Sequence, residues 1–275
     1  KRDSRSMPRF VQVGLRYSPN LGDGVISECI AFGLSKTSAG CEVTFLDMSG
    51  RSKPNEEILR NRSRILRLLE ALPLFVGQRL VATRLNKLID GFEETWRDQL
   101  KADVVIFGGG QLFSDRWLNF PIKAARIARI LKDAPTPVAI FGVGVSDNWT
   151  PQGRRLFAEL ANVNLRMVTF RDPSSMQAWT SQFPCGPKPE LTVDPAFLAF
   201  ECYGPTDKRT KEIGVCVTDF GVLRHHSDGQ VAGANLGPID FYSSAVQALV
   251  SAGHSVALFT NGEGADEALL QTLSL

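Results

Sequence analysis

Apolar and polar positions along the chain fall into two patterns. Short, largely apolar runs at residues 10–15, 42–47, 103–107, 138–141 and 167–170 read as strands. Between them, apolar residues recur three and four apart. The first such segment carries Val25, Ile26, Cys29, Ile30 and Leu34, and helices are also predicted over 122–131, over 151–160 and through Trp179. Strand alternating with helix predicts a parallel sheet covered on both faces. Right-handed crossovers then place the C-terminal ends of the strands along one edge. Residues 204–211, polar and containing Pro205, read as a linker. After it the alternation restarts: a strand over 213–217, a helix over 241–250, a strand over 255–259 and a helix starting at Ala265.

The expected fold is therefore α/β, with two Rossmann-like doubly wound domains built on parallel sheets. The first covers residues 1–204, and residues 211–275 are the first part of the second. Two predicted strands fall short of the roughly four that such a domain needs to cover its faces, so the second domain is expected to be incomplete in this chain. Residues 53–100 interrupt the alternation and read as a helical insertion broken at Pro73. Between Arg60 and Lys87 the bases Arg60, Arg62, Arg64, Arg67, Arg79, Arg84 and Lys87 face a single acid, Glu70. The simpler reading is the solvated face of helices packed on the sheet. The other is peripheral contact with an anionic membrane surface.

Composition narrows the function classes. The 275 residues are 43% apolar and 22% charged, which is ordinary globular composition. A net charge of +2 gives no global field for nucleic acid, and none is expected as a partner. The five cysteines are odd in number and show no C-x-x-C spacing, and Cys29, Cys41 and Cys216 lie in apolar segments. A reducing, cytoplasmic setting is the simpler expectation. The first six residues are polar and no long apolar core follows, so no secretion signal is expected there. No apolar run reaches the roughly 18 residues of a membrane span.

In open α/β sheets, ligands sit beyond the strand C-termini. Four unusual segments are predicted there: Asn20-Leu21-Gly22-Asp23, Gly108-Gly109-Gly110-Gln111-Leu112, Gly142-Val143-Gly144, and Arg171-Asp172 with Ser175 three residues on. The glycines either present N–H groups to an anion or let helix and sheet pack closely. Asp23 is either a helix N-cap or a residue of the ligand crevice. Arg171 is suited to gripping a carboxylate or phosphate at two points, its alternative being a structural ion pair. Asp194-Pro195 closes another strand, with a turn as its alternative. Arg224-His225-His226 follows the first strand of the second unit, where His could serve as acid or base, although exposed loop residues are the commoner outcome. Neither G-x-G-x-x-G nor the P-loop pattern occurs, because Asp147 stands where the third glycine belongs. No zinc spacing accompanies the histidines, and no metal is expected.

In this order, Asn20-x-Gly22-Asp23, the stretch from Ala102 to Leu112, Gly142-Val143-Gly144, Phe170-Arg171-Asp172-x-x-Ser175 and Val193-Asp194-Pro195-Ala196-Phe197 resemble the polysaccharide pyruvyl transferase family. The resemblance implies two Rossmann-like domains facing across a cleft, as in GT-B glycosyltransferases. It implies transfer of a pyruvyl group from phosphoenolpyruvate to two sugar hydroxyls, closing a cyclic ketal. The sugar would belong to an exopolysaccharide or other cell-surface polysaccharide, often as a lipid-linked oligosaccharide handled at the inner face of the membrane. Phosphoenolpyruvate is then the donor substrate, and no cofactor is implied.

That chemistry needs an anion-binding group and a general acid to protonate the donor methylene. Arg171 is the leading anion-binding residue, with Gly109, Gly110 and Arg224 behind it. Asn20, Gly22, Asp23, Gln111, Gly142, Gly144, Ser175 and Asp194 complete the expected substrate-binding set. This chain departs from the family where Val145-Ser146 replace a third Gly and a Pro. The family's later Arg-His pair has no counterpart, because Arg224-His225 lies too early. The general acid is expected beyond Leu275, with His225 a minor candidate, and this chain alone is expected to be inactive. The alternatives are a GT-B glycosyltransferase using a nucleotide sugar and a non-catalytic domain that binds glycan or an assembly partner.

Overall fold

The computed structural model describes residues 7–54, 73–183, 185–205, 210–221 and 237–273. They form two compact units. One holds the chain up to Tyr17 and from Asp23 to Tyr203. The other holds Ser18–Gly22 and the chain from Gly204 on.

The first unit is built on a six-stranded sheet: β1 (Arg9–Gly14), β2 (Glu42–Asp47), β3 (Val104–Gly108), β4 (Val138–Val143), β5 (Leu165–Phe170) and β6 (Glu190–Leu191). The strand order is β2-β1-β3-β4-β5-β6, and every pairing is parallel. Parallel central strands are buried on both faces, which is why they read as near-continuous apolar runs. Val11, Val13, Val105, Phe107, Val138 and Ile140 are all fully buried. Their layer packs with Ala124, Ile127, Ala128 and Leu131 of a helix over Asn119–Leu131. Helix α1 (Leu21–Thr37) joins β1 to β2, and its Ile26 and Ile30 lie against the end of β3. The region after β2 carries helices Leu74–Asp90 and Glu93–Gln99. Arg79, Arg84 and Lys87 fall on the first of these, whereas Arg60, Arg62, Arg64 and Arg67 lie outside the described residues.

Three helical starts use one device, a side-chain cap followed by proline. Thr150 accepts from the Gly153 N–H before Pro151, and Asp172 accepts from the Ser175 N–H before Pro173. Asp194 accepts from the Ala196 N–H ahead of a 3-10 turn over Pro195–Leu198. Each cap satisfies an N–H that the first turn leaves open, and proline supplies the helical φ.

The second unit pairs β7 (Ile213–Cys216) with β8 (Val256–Phe259) in parallel. Helices over Pro238–Ser251 and Gly264–Thr272 accompany them. Val217, Tyr242, Leu269 and Leu273 form its buried cluster.

Candidate active site

The order of the first sheet places its topological switch point between β1 and β3, where open α/β sheets bind ligands. Glycines line that point. A Cβ on Gly14 would stand 3.2 Å from the Gly108 carbonyl oxygen. Gly109 has φ +76°, and a Cβ there would lie 1.9 Å from Ile26 Cγ2. Both facts require glycine, so tight helix-on-strand packing is one role of this segment. Its N–H donates to the Phe141 carbonyl at 3.2 Å. Gly110 lies beside the Asp23 carboxylate: a Cβ would be 3.1 Å from Oδ1. Gln111 is half-buried at the same edge.

Asp23 is not the helix cap. Helix α1 begins at Leu21, which puts Asp23 inside the first turn. The capping role belongs to Asn20, whose Oδ1 accepts from the Gly22 N–H at 3.0 Å. A carboxylate in the first turn still sits favourably in the field of the helix N-terminus. Asn20 and Gly22 belong to the second unit, where Leu21 N–H donates to the Asn261 carbonyl at 2.8 Å.

The loops after β3 and β4 are knitted together. Gly144 N–H donates to Gly110 O at 2.8 Å, Phe113 N–H to Gly144 O at 3.4 Å, and Ser146 N–H to Phe113 O at 3.1 Å. Trp149 reinforces them by donating its indole N–H to Phe113 O at 2.8 Å. Gln182 accepts from Trp149 N–H at 2.7 Å and donates to Ser146 O at 2.8 Å. Beneath lies a cluster of aromatic rings: Phe113, Trp149, Phe157, Phe170, Trp179 and Phe183. Past the β3 loop, Trp117 and Leu118 hold φ of 57° and 59°, left-handed values that cost a non-glycine residue on the order of 1–3 kcal/mol.

Arg171 extends from the end of β5. Its Nη1 lies 3.1 Å from Asp194 Oδ2 and its Nε 3.6 Å from Asp172 Oδ2. A Cβ on Gly144 would meet its Nη2 at 3.0 Å. The arginine is 31% exposed and sits between two carboxylates, so it joins the β5 and β6 ends through ion pairs and lies against the β4 end at Gly144. Gly142, with φ +60°, faces Pro195, 2.8 Å from where its Cβ would be. Ser175 is buried, donates to Asp172 Oδ2 at 2.8 Å and accepts from Val145 N–H at 3.1 Å. Burial opposes ionisation of Asp172. The Ser174 hydroxyl, the Ser175 N–H and hydroxyl and the Arg171 charge outweigh it and hold the carboxyl below the usual range.

Sequence reasoning passed over Arg16. It follows β1 at the switch point, stacks 3.9 Å over the Phe45 ring and pairs with Glu28 at 3.2 Å. Its Nη1 is buried with no hydrogen-bond partner. Only its position one residue past an apolar strand end could have marked it. Arg224, His225 and His226 lie outside the described residues. Among the described residues no helix is long and apolar enough to cross a membrane.

A doubly wound parallel sheet whose glycine-lined edge carries arginine and aspartate side chains defines a Rossmann-like α/β protein. The polysaccharide pyruvyl transferase family model matches residues 20–260, and the chain belongs to that family of transferases. No curated protein matches it. Among solved structures, S. aureus MnaA in complex with UDP is similar at 12% identity and a TM-score of 0.48, over 97% of this chain and 66% of that one. This chain thus spans just under two thirds of that protein. An azoreductase from Bacillus anthracis str. Sterne is similar at 12% identity and a TM-score of 0.30, over 71% of this chain and 100% of its own length.

Proposed function

We propose that the protein transfers a pyruvyl group from phosphoenolpyruvate to two hydroxyls of a cell-surface polysaccharide sugar, closing a ketal. The observation that carries this reading is the family match across residues 20–260. The C-terminal edge of the first sheet supports it, because guanidinium groups suit an anionic ligand. Arg171 holds the donor anion with the part of its guanidinium not taken up by Asp172 and Asp194. Those two carboxylates fix its orientation at the cost of some of its charge. Arg16 is a second cation at the same edge. Proton transfer to the donor methylene carbon turns the enol carbon electrophilic. One sugar hydroxyl attacks it, phosphate leaves, and the second hydroxyl closes the ring. The acceptor is a sugar or a lipid-linked oligosaccharide, met at the inner face of the membrane.

The test is to incubate the full-length protein with phosphoenolpyruvate and cell-surface oligosaccharides, following phosphate release and the ketal methyl signal by proton NMR. Phosphate release matched by a new ketal supports the reading. Consumption of a nucleotide sugar without phosphoenolpyruvate would show glycosyl transfer instead. Oligosaccharide binding with no turnover of either donor would show a binding domain.

A further inference from the structure

One side of α1 meets the helix over Ala199–Tyr203 that ends the first unit. Glu28 Oε2 accepts from the Tyr203 hydroxyl at 2.6 Å, Lys36 pairs with Glu201 at 3.1 Å, and a Cβ on Gly33 would stand 3.3 Å from Leu198. Cys29 falls inside this seam, next to Glu28 and one helical turn before Gly33. Its side chain is fully buried, and the antiparallel run of the seam, Glu28 against Tyr203 and Gly33 against Leu198, sets it opposite Cys202. Cys202 is half-buried, and both cysteines are free thiols.

The two sulfurs are unequal. Burial first, and then the adjoining Cys202 thiol, push Cys29 up to about 11. The thiolate is the nucleophile, so Cys29 is a poor first attacker at neutral pH. Cys202 is the less buried residue of the two.

We infer that Cys29 and Cys202 form a redox-active pair that closes to a disulfide when a small-molecule disulfide is the oxidant, pinning the 199–203 helix onto α1. The Cys202 thiolate attacks one sulfur of oxidised glutathione, which forms a mixed disulfide and releases one glutathione thiolate. The Cys29 thiol gives up its proton and attacks the Cys202 sulfur, which expels the second glutathione. Two thiol hydrogens and two electrons leave the protein, and one oxidised glutathione becomes two reduced ones. The tied helix continues directly from the Pro195–Leu198 turn capped by Asp194, the partner of Arg171. The disulfide therefore anchors the far end of the segment that orients the candidate anion-binding arginine.

The test exposes the native chain to oxidised glutathione, quenches with alkylating reagent and maps peptides without reduction. The expected result is a Cys29–Cys202 linked peptide with loss of two hydrogens from the intact mass, reversed by dithiothreitol. Amide exchange over residues 195–203 should slow by about tenfold on oxidation. Cys202→Ser should abolish both changes. The exposed Cys185 serves as the control, because its glutathione adduct shows that the oxidant was active. Adducts on Cys185 or Cys202 without the Cys29–Cys202 link overturn the inference, as does a link from Cys29 to any other cysteine.

Discussion

In the first unit, Trp179 is 1% exposed and its ring meets Phe113, Trp149, Phe170 and Phe183. In the second, the buried Tyr242 is 7% exposed and its hydroxyl is bound to the backbone of Thr218 as both donor and acceptor. Among the described residues, the first unit is held by a large apolar core around one sheet, while the second buries a small cluster, Val217, Tyr242, Leu269 and Leu273, beside two short strands. Dispersion and burial scale with buried area, so among the described residues the first unit's stability is spread over many side chains and the second's over few. A site that must hold several loops in register is better built on the first kind of support.

The largest break in this contrast is Trp179→Ala. Emptying the centre of the aromatic cluster should cost about 3–5 kcal/mol of first-unit stability, read by denaturant unfolding. It should also loosen the loops after β3 and β4, visible as faster amide exchange at residues 110–113 and 144–146. Next comes Gly109→Ala. The positive φ and the 1.9 Å approach to Ile26 predict a loss of at least about 1–3 kcal/mol, with α1 displaced from the end of β3. A smaller effect is expected at the Arg171–Asp194 pair, which is partly exposed. A double-mutant cycle of Arg171→Ala and Asp194→Ala should give a coupling of about 1 kcal/mol.

The smallest effects sharpen the comparison by sign. In the first unit, hydrogen bonds and Arg171 lower Asp172 despite burial. Its folded value lies below the unfolded one, so the stability it confers is present at neutral pH and lost as pH falls through the folded value. In the second unit, Asp266 is buried beside Glu263, Asp219 and Glu267. Burial first, and then those acids, raise it against the hydrogen bond from Asp219 N–H. Its folded value lies above the unfolded one, so its contribution is full at low pH and lost as pH rises through the folded value. Asp266→Asn keeps an acceptor for the Asp219 N–H and should raise second-unit stability at pH 7. Asp172→Asn should lower first-unit stability at pH 7 and leave it nearly unchanged in strong acid. Chemical denaturation at several pH values checks both.

What the sequence disclosed follows the same division. Strands β1, β3 and β4 were legible because burial on both faces forces near-continuous apolar runs, and the helix after Asp172-Pro173 because its cap is local. The Asp194-Pro195 turn was legible for the same reason. For Asp23 the sequence left a cap and a crevice residue open, since a Gly-Asp pair before an apolar helix looks the same whether the helix starts at Leu21 or after Asp23; the start at Leu21 removes the cap. The knitting of the β3 and β4 loops was invisible because it depends on Trp149 and Gln182, more than thirty residues from the atoms they bind. Arg16 was missed because its surroundings, Phe45 and Glu28, come from a different strand and helix. The left-handed Trp117 and Leu118 carry no local signal, since neither residue type favours that conformation.

The most direct test of a donor-binding edge on the first unit is calorimetric titration with phosphoenolpyruvate, alongside UDP-glucose and GDP-mannose, for the wild type and Arg171→Ala. Saturable phosphoenolpyruvate binding that falls at least about tenfold in Arg171→Ala, with no nucleotide-sugar binding, is the predicted result. Nucleotide-sugar binding without phosphoenolpyruvate binding, or phosphoenolpyruvate binding that Arg171→Ala leaves unchanged, would contradict it.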